Sequence, residues 1–279
     1  MRYDIEPRLK LSGNNTVQFN YFHGNRPGRQ NIAEMEDRPY SNFGPGSRKR
    51  LRECLARWFD TVTLAHDFLR VPVVPLRKHT FVTLTLSSRQ IHCDKTIKRE
   101  CLNHFLIYLN RHYGVRNYVW KAELQKNGNI HYHIITDKFI PHQELRELWN
   151  TAQNRLSYVD MFDHSNPNST DIHSLQRVKN VMAYVGKYMS KNITQRPICG
   201  HAWGRSDNLQ KLQSLTLHHD FDLHEWFEMQ LASVPSRQFT GDSFCFTAFH
   251  KKINLRSLPS HHLDEIKRIT SENLLIIQP

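Results

Sequence analysis

Two histidines separated by one residue, His131-Tyr132-His133, stand in the segment Asn129-Ile-His-Tyr-His-Ile-Ile135. The segment reads as a strand, and in a strand residues two apart point to the same side of the sheet. The two imidazoles therefore project together as half of a metal site. A carboxylate would complete three ligands and leave positions open for a substrate. Glu123, on the preceding strand, is the nearest candidate. A two-residue turn at Asn127-Gly128 sets Glu123 opposite Tyr132, on the wrong side. A three-residue turn or a glycine bulge sets it opposite His131, and glycine at position 128 permits that bulge. The plain alternative is a strand with two half-exposed histidines, a surface glutamate and no metal.

A second constellation lies in Ala183-Tyr184-Val-Gly-Lys187-Tyr188-Met-Ser-Lys191. At roughly 100° per helical residue, Tyr184, Lys187, Tyr188 and Lys191 share one stripe, while Val178, Met182, Val185 and Met189 form another. Such a helix packs through its valines and methionines and presents phenols and ammoniums elsewhere. A phenol, with a pKa near roughly 10, is a poor nucleophile at neutral pH, and a neighbouring lysine favours the phenolate. A metal on a facing sheet would polarise a phosphodiester. The chemistry implied is attack of tyrosine on a DNA phosphate, giving a phosphotyrosyl adduct and a free 3′-hydroxyl. Two tyrosines permit two successive transesterifications. The alternative is an amphipathic helix whose exposed face merely carries Tyr and Lys.

The elements that must position these residues follow from periodicity. Thr80 to Leu86 alternates as a strand. Asp94 to Tyr113 places Ile97, Cys101, Leu102, Phe105 and Leu109 on one side of a helix that Gly114 closes. Strands are expected over Tyr118 to Leu124 and Ile130 to Thr136, with a turn at Asn127-Gly128-Asn129. A helix opens at Pro141, short strands follow at Tyr158 to Phe162 and Thr170 to His173, and a helix spans Arg177 to Lys191. The β-α-β-β-α-β order predicts an α+β fold, a ferredoxin-like antiparallel sheet with helices on one face. The expected organisation is an N-terminal arm and helix over 1–75, an endonuclease domain over 76–215 and a helical C-terminal appendage over 216–279. The turns at Gly13-Asn14-Asn15 and Arg26-Pro27-Gly28 mark the arm as irregular, and Ser47 is placed to cap its helix.

Charge agrees with a polyanionic partner. The chain of 279 residues has a net charge of +12. Residues 76–215 carry 20 basic and 10 acidic residues, an excess that attracts nucleic acid through counterion release. The composition excludes a disordered or collagenous chain, and no apolar run approaches a membrane span. The start lacks the apolar stretch of a secretory signal. Five cysteines without a C-x-x-C pair suggest neither a disulfide framework nor a zinc ribbon, so a reducing cytoplasm is the expected compartment. His218-His219 and His261-His262 have no ligand spacing beyond adjacency and receive no role.

Phe81-Val-Thr-Leu-Thr85, Glu123 with His131-Tyr-His133, and Tyr184-x-x-Lys187-Tyr188-x-x-Lys191 together resemble the three ordered motifs of HUH-superfamily rolling-circle replication initiators. The paired-tyrosine form is most similar to the initiators of small single-stranded DNA phages and related plasmids. The resemblance covers roughly residues 76–210. It implies that Glu123, His131 and His133 bind Mg²⁺ or Mn²⁺, that Tyr184 and Tyr188 are nucleophiles, and that Lys187 and Lys191 assist. His201-Ala-Trp203-Gly204-Arg-Ser206 resembles a tryptophan-glycine-x-serine segment found after the tyrosine helix in phage-type members. Conjugative relaxases place their tyrosine before the histidine pair; here it follows. With no Walker A motif in the sequence, unwinding would fall to a host or partner helicase, and extension to a host polymerase. The expected function is a site-specific single-strand DNA endonuclease and strand transferase acting on single-stranded or hairpin origin DNA. The rivals are an HUH tyrosine transposase, a water-activating metal phosphoesterase, and a non-catalytic ssDNA- or RNA-binding ferredoxin-like module.

Overall fold

The computed structural model describes residues 8–12, 16–22, 43–73, 75, 78–161, 166–175, 185, 196–218, 220–241, 244–249 and 254–278. Strands β1 (Arg8–Ser12) and β2 (Thr16–Phe22) come first, then helix α1 (Pro45–Thr63), extended by a π-helical turn over Leu64–Phe68. Next are β3 (Thr80–Thr85) and α2 (Asp94–Ile97), which runs through a π-helical turn over Lys98–Leu102 into α3 (Asn103–Tyr113). They are followed by β4 (Tyr118–Leu124), β5 (Ile130–Thr136), α4 (His142–Asn154) and β6 (Thr170–Ser174). The remainder comprises β7 (Trp203–Arg205), α5 (Asp207–Lys211), β8 (Thr216–His218), α6 (Phe221–Ser233), β9 (Ser236–Gly241), β10 (Phe244–Phe249) and α7 (Ser260–Ile277). Among the described residues no helix is long and apolar enough to cross a membrane.

The chain divides into two compact units. One consists of Arg38–Leu55 and Val74–Gln210. Its five-stranded sheet has the order β6-β3-β5-β4-β7 with every neighbouring pair antiparallel. β5 is therefore the central strand, flanked by β3 and β4, and the expected α+β architecture is the one observed.

Alternation divides the strand residues between the two faces. Val82 and Leu84 of β3, Ala122 of β4, and Ile130, Tyr132 and Ile134 of β5 join Ile97, Phe105 and Leu109 from the α2–α3 helix and Leu145, Trp149 and Ala152 from α4 in one buried apolar core. Trp149 lies edge-on to Phe105 at 5.6 Å and to Tyr132 at 6.2 Å. Its indole N–H donates to the Thr85 carbonyl at 2.6 Å, so its one polar atom is satisfied. Truncating a buried tryptophan of this kind costs about 3–5 kcal/mol. The residues between these, Phe81, Thr83, Lys121, Glu123, His131 and His133, project to the other face.

Local signals end the elements where the sequence predicts, with one exception. Gly114 closes α3 at φ +63°, its N–H donating to the Asn110 carbonyl at 2.9 Å, a left-handed position that favours glycine. Pro141 immediately precedes α4. The strand expected over Tyr158 to Phe162 is not formed: residues 155–161 make turns, and Phe162 lies outside the described residues. Asn154 Oδ1 accepts from the Val159 and Asp160 N–H groups at 3.2 and 3.0 Å. The Tyr158 hydroxyl accepts from the Ile91 and His92 N–H groups at 3.3 and 3.2 Å. Backbone donors at 159 and 160 are thus satisfied by the end of α4 rather than by a ladder.

The other unit consists of Met1–Asp37, Ala56–Val73 and Lys211–Pro279. Its five-stranded sheet has the order β8-β1-β2-β10-β9. In the β1–β2 ladder Leu9 is paired with Phe19 and Leu11 with Val17, while β10 pairs with β2 and β9. The arm expected to be irregular and the appendage expected to be helical therefore supply strands to one sheet. The two amphipathic segments read in the tail are present as α6 and α7, and they share an apolar core with Leu215 and Leu217 through Leu223, Trp226, Phe227, Ile266 and Ile269.

Candidate metal centre and nucleic-acid surface

The hairpin between β4 and β5 decides what the strands can do. Gln125 and Asn129 close it, with the Gln125 N–H donating to the Asn129 carbonyl at 2.8 Å and the Gly128 N–H donating to the Gln125 carbonyl at 2.9 Å. Three residues lie between the closing pair, and Gly128 sits at φ +84°, the combination of a tight turn with a glycine bulge. The register that results pairs Glu123 with His131 and Lys121 with His133. The turn left open by the sequence is thus the three-residue form.

Glu123, His131 and His133 converge, their ligand atoms all within 4.8 Å of one another. Glu123 Oε2 lies 3.4 Å from His133 Nε2 and 3.6 Å from His131 Nε2. Glu123 Oε1 pairs instead with the ammonium of Lys121, which is buried beneath the ring of Phe43 at 4.9 Å. One carboxylate oxygen is tied to the lysine and the other is presented to both imidazoles. Burial alone would push the Glu123 carboxyl up; the two facing imidazoles and the Lys121 ammonium overcome this and hold it well below the usual carboxylate range. Burial pushes His133 down, with Glu123 opposing, so its imidazole is neutral at neutral pH, the form that ligates metals.

On the adjoining strand, Thr83 stands opposite His133 and its hydroxyl is 3.1 Å from His133 Nδ1. With that oxygen accepting from Nδ1–H, Nε2 keeps its lone pair, the outer-shell arrangement that orients metal-bound histidines. Phe81 stacks on the same ring at 5.5 Å. His131 Nε2 is buried without a hydrogen-bond partner, since its 3.6 Å separation from the carboxylate is beyond hydrogen-bond reach. A buried, unpartnered ring nitrogen beside an ionised carboxylate and a neutral imidazole fits a divalent cation, and these three residues form a candidate metal-binding group.

The edge strand β7 extends this face. Trp203 pairs with Lys121 and Arg205 with Val119, so both side chains lie on the side of Glu123. The Arg205 guanidinium sits 5.6 Å from the Trp203 ring, a half-buried pair suited to stacking on a base. Between them, Gly204 meets Trp120: a Cβ there would come within 2.7 Å of the indole.

Tyr184, Lys187, Tyr188 and Lys191 lie outside the described residues. What is described is how the chain is held on either side of them. Before them, β6 pairs with β3. Between them, Val185 is helical and buried. After them, Arg196 makes a two-pronged pair with Asp94 at 2.7 and 2.8 Å, and Lys98 donates to the carbonyls of Cys199 and His201, both at 2.7 Å. Asp94 is in turn tied through Gln90 to the first residue of β5, Ile130.

Sequence reasoning passed over Lys121 and Thr83. The signal for Lys121 was its position two residues before Glu123 on the same strand; for Thr83 it was the alternation of a strand whose partner no local pattern names. No curated protein and no solved structure matches the chain at a significant level. Residues 79–193 match a family model, that of the ORF2-type replication-associated proteins. The matched stretch holds Glu123, His131, His133 and both tyrosines, and the match supports a role in the initiation of DNA replication.

Proposed function

We propose that the protein is a metal-dependent, site-specific single-strand DNA endonuclease and strand transferase that initiates rolling-circle replication. The observation that carries this reading is the convergence of Glu123, His131 and His133 inside the stretch that matches a replication-associated family. A binding module of the same fold would have no use for a buried carboxylate held between two imidazoles. Mg²⁺ or Mn²⁺ on these three residues would supply Lewis-acid polarisation of a phosphate oxygen. Trp203 and Arg205 hold the neighbouring nucleotides of exposed origin DNA against the sheet. Tyr184 or Tyr188 attacks the scissile phosphorus: the Tyr oxygen–phosphorus bond forms and the phosphorus–O3′ bond breaks. The phenolic proton is released and the departing oxygen takes up a proton, leaving a 3′-hydroxyl primer and a 5′-phosphotyrosyl adduct. Lys187 and Lys191 favour the phenolate and hold the phosphate. After one round the second tyrosine cleaves the regenerated origin, and the new 3′-hydroxyl attacks the first adduct to reseal the circle. A host helicase and polymerase complete the cycle.

End-labelled circular or hairpin ssDNA from the element encoding the chain tests this on a denaturing gel. A protein-linked DNA band is expected with Mn²⁺, lost with EDTA and lost when Tyr184→Phe and Tyr188→Phe are combined. Full activity in that double variant would refute the reading.

A further inference from the structure

The donor set of the candidate metal centre occurs a second time, in the other unit. Asp220 precedes α6 and His261 and His262 lie in the first turn of α7. His261 Nε2 is 2.7 Å from Asp220 Oδ2, and His262 Nε2 is 3.0 Å from Asp220 Oδ1. All three ligand atoms fall within 4.8 Å of one another. As with Glu123, one carboxylate stands between two imidazole Nε2 atoms. We propose that Asp220, His261 and His262 form a second divalent-cation site, of the zinc class, that joins the starts of α6 and α7. It stands independently of the endonuclease reading.

The chemistry selects the cation. Two imidazoles and one carboxylate are the mixed nitrogen and oxygen donors that suit Zn²⁺ or Co²⁺, whereas Mg²⁺ and Ca²⁺ take oxygen ligands. Bond lengths of about 2.0–2.1 Å place neighbouring ligand atoms about 3.0–3.3 Å apart, so side-chain rotations of a few tenths of an ångström convert the present contacts into a coordination sphere. Both helices direct the partial positive charge of their first turn here. That disfavours a loosely held oxygen-bound cation and leaves one bonded directionally to nitrogen as the fit.

The three residues are not a chance surface group. His262 is buried, its ring 4.1 Å from that of His261. Asp220 Oδ1 also accepts the Leu223 N–H at 2.8 Å, and Leu223 and Ile266 belong to the same apolar core. An ion there cross-links residues that are 41 and 42 apart in sequence at the rim of that core, and stabilises the folded unit by mass action. His261 and part of Asp220 face solvent, so a coordination position stays open to water or a further ligand.

The test uses the metal-stripped full-length chain titrated with Co²⁺, read by its visible absorption, and with Zn²⁺, read by thermal unfolding. Glu123→Gln, His131→Ala and His133→Ala are combined to silence the first site. This variant is expected to take up one equivalent of Co²⁺ and to melt higher with Zn²⁺. Adding Asp220→Asn, which keeps an oxygen for the Leu223 N–H, or His261→Gln at an exposed position, is expected to weaken binding by about 100-fold or more. Absence of uptake by the silenced variant would overturn the proposal and leave the cluster as hydrogen bonds alone. So would affinity unchanged by both added substitutions. Loss of DNA cleavage in the silenced variant bears only on the first site.

Discussion

Glu123 and His131 face one another across the β4–β5 hairpin because three residues, not two, separate the closing pair Gln125 and Asn129. A one-residue change in that turn would exchange the faces of every side chain beyond it. Deleting Gly128 leaves a two-residue turn and sets Glu123 opposite Tyr132. Such a variant is expected to lose measurable Mn²⁺ binding. Gly128→Val keeps the length but places a β-branched residue at φ +84°, and is expected to destabilise the protein by about 1–2 kcal/mol or more with the register retained. Calorimetric titration with Mn²⁺, alongside urea unfolding, separates the two; undiminished binding in the deletion would rule out this register as the basis of the site.

The pairing of Lys121 with Glu123 carries an opposite expectation for stability and for metal affinity. Removing one partner of a buried pair leaves an uncompensated charge and costs about 3–5 kcal/mol. Lys121→Met is therefore expected to lower the Tm without metal. The freed carboxylate no longer competes with an ammonium for its counter-charge, so added Mn²⁺ should raise the Tm of the variant by more than that of the wild type. Equal shifts measured by differential scanning fluorimetry would show that Lys121 does not govern the carboxylate.

At the edge of the same sheet, Gly204 lets β7 lie against Trp120. Gly204→Ala forces the strand or the indole to move, carrying Trp203 and Arg205 with it. Affinity for a fluorescent ssDNA oligonucleotide is expected to fall by about tenfold, the loss of one stacked base, while Mn²⁺ affinity is unchanged. A parallel loss of both would mean that the substitution disturbs the whole sheet and that β7 has no separate part in DNA binding.

How far this was visible beforehand depends on the range over which each feature is encoded. β4 and β5 were read to the residue because their alternation and the glycine between them are local, and the H-x-H pair announces its own geometry. Lys121 was not legible: a lysine on a strand reads as a solvated position, and only the cover by Phe43 and the facing carboxylate make it a buried cation. The sheet that joins β1 and β2 to β8 and β10 was missed for a related reason. Arg8 pairs with His218, and pairing at that separation leaves no mark within a short window. The same holds for Asp220 and the adjacent histidines His261 and His262. Tyr158 was misread because an apolar run beside a helix end satisfies a strand pattern equally well.

Acid should act through His79. Burial pushes this imidazole down to about 4 from its ordinary 6.5, with a hydrogen bond to the Pro75 carbonyl opposing. Between those values the unfolded chain binds a proton that the folded chain refuses, so stability falls as the pH drops from 6.5 to about 4. The loss amounts to about 3 kcal/mol at roughly 1.36 kcal/mol per unit. His79→Phe is expected to flatten this part of the urea-stability profile against pH. A variant that tracks the wild-type profile in parallel would place the acid sensitivity elsewhere.

The account stands most directly on where DNA becomes attached. Protein incubated with origin ssDNA and Mn²⁺, digested with nuclease and protease and mapped by mass spectrometry, should carry a nucleotide on Tyr184 or Tyr188. The modification should be absent when His131→Ala and His133→Ala are combined. Cleaved DNA with free 5′-phosphates and no modified tyrosine would contradict the account and identify a hydrolytic nuclease instead.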